Sequence, residues 1–405
     1  MKRILLTGIG LVAILGAVSG EAWASNTHKN GIKRRDHSVY RGLLAAEKTL
    51  EKDYADFKKR LAAEMGLSYS LDISVLGQRG SPGGKGMPWQ TQYYGTANWD
   101  MFQSDTWGSG SAQIAYTAVR YWGTNAARVN NRIGLVSAFN DYTSNENGFN
   151  QLSYTHQLPG DLSGLSLTVG QFPISNFDGG SYDSNQQINF LNDSLSQNAS
   201  SAYPTASLGG YVTYAPNNLI SLTAGFQDAH NVAGNRISTH DFGKGHYTGF
   251  AGVSYTPMIE GLGQGTYSFL YYYQPSVGAQ PQTSQGWSVN LQQNIGDKWG
   301  VFARANGTTH TPTEIEQSYV LGVVYNNPLG RNALDQIGLA GAVNKIDTAE
   351  NSGTRAVENV LEAYWAWGVS NFMTITPDVQ FYINPGANQN HRTATVSSIR
   401  ATLMF

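Results

Sequence analysis

Thr393–Phe405 reads TATVSSIRATLMF, and its two files of alternate residues differ in kind. Counting back by twos from Phe405 gives Leu403, Ala401, Ile399 and Ser397, a mostly apolar file. The other file, Met404, Thr402, Arg400 and Ser398, is polar apart from Met404. Side chains alternate across a strand, so one face of this segment can meet lipid while the other meets water. A strand that closes the chain on an aromatic residue suits an outer-membrane barrel, whose last strand must pair to complete the sheet. The expectation is an all-β chain, a transmembrane antiparallel barrel whose terminal strand also addresses the barrel-assembly machinery. An ordinary sandwich strand is the alternative.

Upstream, the same alternation recurs in segments of ~9–11 residues, the length a tilted transmembrane strand needs. Sixteen are distinct between Leu67–Gly77 and Thr393–Phe405. Val129–Asn140 is a further candidate, read as an excursion of a loop because bacterial single-chain barrels use even strand numbers. Pro216-Asn217-Asn218, Gly296-Asp297 and Gly368 to Asn371 carry hairpin residues. The longest connection, Pro173–Thr205, is expected to fold inward as a constriction or to cover the outer mouth.

The first residues predict export. Lys2 and Arg3 precede an apolar run, and Ala22-Trp23-Ala24 offers small residues where a signal peptidase reads, so 1–24 is expected to be a signal peptide. Residues 25–40 are polar and basic without periodicity, a flexible periplasmic segment. In 41–65, Leu43, Leu50, Tyr54, Phe57, Leu61 and Met65 recur at helical spacing before Gly66, predicting an amphipathic periplasmic helix. That helix can lie against the periplasmic mouth or plug it, form a short coiled coil in a homotrimer, or dock a periplasmic partner. Residues 66–405 are the barrel.

Composition agrees and narrows the chemistry. The chain has no cysteine and only 13% charged residues, which removes thiol chemistry and disulfides. Residues 25–64 carry ten Lys/Arg against six Asp/Glu, and residues 65–405 fourteen against twenty-one, a balance that does not indicate nucleic-acid binding. No Gly-x-Ser-x-Gly or His-Glu-x-x-His is present, so no catalytic residue, cofactor or metal is expected. The eight histidines are scattered, several of them in loops, as at His230, His240 and His246. Asp178-Gly-Gly-Ser-Tyr-Asp183 lacks Ca²⁺-loop spacing and reads as a turn.

Several motifs resemble the carbohydrate-selective porins of the OprB type. The strongest block is C-terminal: Glu358-Asn-Val-Leu-Glu362-Ala-Tyr364, Thr376-Pro-Asp378 through Gln380 to Asn384-Pro385-Gly386, and Arg400. Gly300-Val-Phe-Ala-Arg304, Gly322-Val-Val-Tyr-Asn-Asn-Pro328 and Phe177-Asp178 through Tyr203-Pro204 resemble the family's further elements. The resemblance implies a passive diffusion channel for small sugars in the bacterial outer membrane, with a narrowed, charged lumen. A different reading, motivated by the helix, is an export conduit for a polymer coupled to a periplasmic partner.

Strand phase places the candidate lumen residues. Apolar files on their strands face lipid, leaving Arg304, Glu358, Glu362, Tyr364, Asp378, Gln380, Tyr382 and Arg400 inside; Arg120 and Trp122 are assigned to one inward file with Tyr116. Arginine facing lipid at the midplane costs ~2–4 kcal/mol, which sets the phase. The charges then form an ion-pair network that stiffens the wall, or Arg304 and Arg400 donate paired hydrogen bonds to sugar hydroxyls while carboxylates accept them. Aromatic rings such as Trp122, Tyr364 and Tyr382 are candidate stacking surfaces for sugars, whereas Trp99, Trp299, Trp365 and Trp367 suit interface girdles.

Overall fold

The computed structural model describes residues 36–405 apart from 84–85, 233, 235–236 and 311–312; the signal peptide expected at 1–24 and residues 25–35 lie outside the described residues. Helix α1 spans Asp36–Met65, so Asp36–Tyr40 belong to it rather than to the flexible segment expected ahead of it. Gly66, at φ 66°, ends the helix, and its N–H donates to Ala62 O at 3.0 Å. A left-handed residue at that point favours glycine, which has no Cβ to clash.

The barrel is built from β1 (Leu67–Ser81), β2 (Trp89–Ser104), β3 (Gly108–Trp122), β4 (Glu146–Gln157), β5 (Leu165–Phe172) and β6 (Ser207–Tyr214). It continues through β7 (Ile220–Asp228), β8 (Tyr247–Tyr255), the two-residue β9 (Met258–Ile259), β10 (Gly263–Gln274), β11 (Ser284–Ile295) and β12 (Trp299–Thr308). It ends with β13 (Ile315–Asn326), β14 (Gln336–Ile346), β15 (Val357–Ser370), β16 (Met373–Ile383) and β17 (Thr393–Met404). Each long strand pairs antiparallel with its neighbour in sequence, with β8 passing over β9 to pair with β10. The sheet closes where β17 meets β1: Leu76 lies opposite Arg400, and Leu71 and Phe405 exchange backbone hydrogen bonds of 3.0 and 2.9 Å. Closure leaves no unpaired edge, which a lipid environment could not solvate. All sixteen alternating segments are strands of this closed sheet.

Alternation sorts the side chains as lipid and water require. On β15, Leu361, Trp365 and Trp367 are exposed on the outer face while Glu358, Glu362 and Tyr364 are buried inside; on β16, Val379, Phe381 and Ile383 face out against buried Asp378, Gln380 and Tyr382. Outward aromatics gather near the strand ends. Trp299 stacks on Tyr325 at 4.4 Å, and the Arg331 guanidinium lies 3.5 Å from the centre of the Trp367 ring.

One rim has tight turns, such as Gly296–Lys298; the other carries long connections. Two of these, 123–145 and 173–206, turn into the barrel. Val129–Asn140 is not a strand: the first inner loop holds helix α2 (Ala126–Ile133), capped by the Asn125 side chain on the Arg128 N–H. The second holds the single turn α3 (Asp193–Ser196), capped by Asn192. Val129, Ile133, Leu135 and Phe139 from the first loop pack with Phe190 and Leu195 from the second and with Phe302, Val360, Tyr364 and Tyr382 of the wall. Each such side chain contributes ~1.5–3 kcal/mol on burial, whereas doubling loop length costs only ~0.6 kcal/mol in closure entropy. Inward packing therefore wins.

Candidate pore constriction

The wall charges turn out to hold the loops. Glu358 on β15 accepts N–H donors from Val136 at 3.0 Å, Ser137 at 2.6 Å and Gly386 at 2.7 Å. Four residues further along the same face, Glu362 accepts from Leu191 at 2.5 Å and Asn192 at 2.9 Å in the second inner loop. Loop N–H groups cannot stay bare inside the barrel, and a carboxylate satisfies two or three of them with charge-assisted bonds.

The arginines bind the carbonyl side of the same loop. Arg304 donates from Nη1 to Asp183 Oδ2 at 3.0 Å and to Asp183 O at 3.2 Å, and from Nη2 to Ser194 O at 2.9 Å. Arg400 Nη1 donates to Gln186 O and, at 2.9 Å, to Asn189 O. Gln380 Nε2 reaches Phe139 O at 2.9 Å, Asn192 Nδ2 donates to Tyr382 OH at 2.8 Å, and the Tyr364 ring meets Phe190 edge-on at 4.9 Å. Eight of the ten candidate residues thus come together on one wall, beneath the two loops. Arg304 and Arg400 are among the most fully buried side chains, so they do not present free guanidinium groups to the lumen. Among the described residues, Arg400 is not in direct ion-pair contact with Glu362 or Asp378, although their charges act on it across the wall, and the ion pair of Arg304 is with Asp183 of the loop.

Arg120 and Trp122 are a correction. On β3 the buried file is Ala115, Thr117 and Val119, while Tyr116 and Trp122 are exposed and Arg120 shares their outer face. Tyr121, not Trp122, points inward; its hydroxyl donates to Tyr142 O at 2.5 Å and accepts from Gln90 Nε2 at 2.8 Å. Both files of β3 contain apolar residues, so the arginine alone decided the sequence reading. Near a strand end, however, arginine reaches polar groups without entering the lumen. Arg120 does so through Val119 O, Glu146 O and Asn147 Oδ1 at 2.8–3.1 Å.

Beside the anchored wall two cavities remain, and the second inner loop reaches the first of them: Ser181 N–H and Oγ donate to Gln292 Oε1 at 2.8 and 3.1 Å, and Tyr182 OH donates to Asn294 Oδ1 at 3.0 Å. One cavity of about 280 Å³ is lined by Ser181, Gln264, Thr266, Gln292 and Asn294. Another, of about 370 Å³, includes Ser70, Tyr94, Thr96, Gln113 and Gln151. Strands β5 to β11 carry one charged residue, Asp228, at the outer end of β7. Sequence reading missed these uncharged lumen residues because amides and hydroxyls are abundant everywhere in the chain. For those on β10 and β11 the signal was the near absence of charge over seven successive strands.

On the loop side Asp141 and Asp193 stand near each other. The Asp141 N–H donates to Gln186 Oε1 at 2.9 Å, its carboxylate accepts from Ser196 Oγ, and Gln197 Nε2 donates to Asp193. Burial pushes the Asp141 carboxyl well above the ordinary aspartate range, the neighbouring Asp193 charge adds to the rise, and Arg304 opposes it. Burial raises Asp193 as well.

A closed sixteen-strand barrel with a polar lumen narrowed by inward loops defines an outer-membrane diffusion porin. The model of the carbohydrate-selective porin, OprB family, matches residues 96–405, and the chain belongs to that family. It is 37% identical over 315 residues to Porin AaxA of Chlamydia felis, covering 77% of this chain and 70% of that protein. It is 36% identical over 345 residues to Porin AaxA of Chlamydia pneumoniae, covering 82% and 78%. The high-pH structure of Pseudomonas putida OprB superposes with a TM-score of 0.70 at 18% identity, covering 87% of this chain and 97% of that one, a likeness of fold. The protein is a channel of the bacterial outer membrane that admits small hydrophilic solutes.

Proposed function

We propose that the solutes are neutral carbohydrates, that they pass by diffusion without a chemical step, and that they contact the uncharged wall rather than the buried arginines. The single observation carrying this reading is the near absence of charge from β5 to β11, where Thr266, Gln292 and Asn294 line an open cavity with amide and hydroxyl groups, the oxygens of the two carboxamides being already bonded to Ser181 and Tyr182 of the loop. Each such group both donates and accepts, or does one beside a neighbour that does the other, matching the donor-acceptor character of a sugar hydroxyl. Sugar–water hydrogen bonds are exchanged for similar sugar–protein bonds, so binding stays weak and passage fast. Tyr94, in the second cavity, supplies an aromatic face beside Thr96 and Gln113.

The test is conductance of the purified protein in a planar bilayer while glucose and maltose oligomers are titrated in. The expected result is a steady open channel blocked by sugar in a saturable way, with block weakened by Gln292→Ala. A channel whose current is indifferent to every sugar would sink the carbohydrate reading.

A further inference from the structure

The connection between β7 and β8 gathers three histidines that lie far from the constriction's chemistry. The His230 and His240 rings sit 4.6 Å apart, centre to centre, and the ligating atoms of His230, His240 and Asp241 all lie within 4.8 Å of one another. His230 Nδ1 is 3.4 Å from Asp241 Oδ2, while His240 Nε2 and His246 Nδ1 are 4.0 and 3.8 Å from Asp241 Oδ1. A tetrahedral ion with ligand bonds of about 2.0–2.2 Å needs donors spaced at roughly 3.3–3.6 Å, so small rotamer changes close the set.

The scaffold beneath is hydrogen-bonded to the end of β7. Asp228, at the end of β7, accepts the His230 N–H on Oδ1 at 2.9 Å and the Asp241 and Phe242 N–H groups on Oδ2 at 2.9 and 3.0 Å. One carboxylate thereby fixes both arms of the connection, and the His246 N–H closes onto Asp241 O at 3.0 Å. Asp241 itself is only 3% exposed, and its Oδ2 makes no hydrogen bond beyond the 3.4 Å approach of His230 Nδ1. A buried carboxylate oxygen without a donor is costly unless a cation meets it. The position already attracts one: the Lys244 ammonium lies 3.3 Å from Asp241 Oδ1 and 2.7 Å from His240 Nε2. Lys244 is half exposed on a flexible stem, so it can swing into solvent.

We propose that His230, His240 and Asp241 form a binding site for a divalent transition cation of the zinc class, with His246 at hand as a further ligand and Lys244 as its competitor. Imidazole and carboxylate donors suit zinc and its neighbours rather than calcium or magnesium, which prefer all-oxygen sets. The bound ion cross-links the two arms of the connection at the barrel's long-loop rim.

Zinc itself is the probe, titrated into the tag-free protein in detergent micelles by calorimetry, with Co²⁺ absorption reporting coordination. One Zn²⁺ per chain is expected, with tetrahedral Co²⁺ bands in the visible. Affinity should fall about tenfold or more in His230→Gln and in Asp241→Asn, and rise in Lys244→Ala. Migration of the unheated barrel in detergent gels verifies that each variant is folded. Failure to bind zinc, or binding unaffected by all three substitutions in folded protein, would overturn the assignment.

Discussion

Arg304 on β12 and Asp183 in the second inner loop form a buried ion pair, Nη1 to Oδ2 at 3.0 Å, with both side chains sealed from solvent. The same guanidinium holds Ser194 O, so a single wall residue grips two points of the loop eleven residues apart. Removing one partner of such a pair leaves an uncompensated buried charge, which costs ~3–5 kcal/mol. Arg304→Ala should therefore release the loop: single-channel conductance and current noise both rise, while the barrel still folds. Asp183→Asn should do the same more weakly, because Arg304 keeps its two carbonyl partners. Bilayer recordings of the two variants against the parent check the order.

Glu358 reaches two separate connections. Its oxygens serve Val136 and Ser137 in the first inner loop and Gly386 between β16 and β17. Glu358→Gln keeps the shape but loses the charge and one acceptor, leaving at least one buried N–H unsatisfied at a cost of ~1–3 kcal/mol. The expected outcome is faster backbone amide exchange at 136–137, with 191–192 unchanged because Glu362 holds that site. Equal acceleration at both sites would contradict separate anchoring.

Asp141 and Asp193 give the loop contact a pH dependence of known sign. Both carboxyls are raised above the ordinary aspartate value of 3.8. The protonated form is the one the packed loops favour, so their contribution is fully present below that value and is lost as pH rises through the raised values. Flicker and conductance of the channel should both rise as pH climbs above the ordinary aspartate range. In Asp141→Asn that trend should flatten, measured as noise power in the same bilayer recordings.

Arg120 tests the outward assignment of its β3 file. Since its guanidinium bonds to Val119 O, Glu146 O and Asn147 Oδ1 on the outer face, Arg120→Ala should leave the concentration for half-block by maltose oligomers within about twofold of the parent. A loss of sugar block as large as that of Gln292→Ala would return Arg120 to the lumen.

The barrel was legible in the chain because its cause is local. A strand between lipid and water must alternate, and Leu361, Ala363, Trp365 and Trp367 against Glu358, Glu362 and Tyr364 display that period without reference to any partner. β3 was misread for the same reason: with apolar residues in both files, local alternation had no contrast to report. The destinations of the loops were not local. Phe190 and Leu195 announced an apolar need, but which wall met it depended on Glu362 and Arg304, more than a hundred residues away.

From sequence alone, then, followed the number of strands, the face of each clear strand, and the inward side of Arg304, Glu358, Glu362, Asp378 and Arg400. Tertiary structure decided what those charges do. A strand's phase says which solvent a side chain would meet, but a folded loop replaces that solvent with its own N–H and C=O groups. Arg304, Glu358, Glu362 and Arg400, which alternation marked as lumenal, became anchors of the loops, and the remaining open surface passed to uncharged residues such as Thr266 and Thr96.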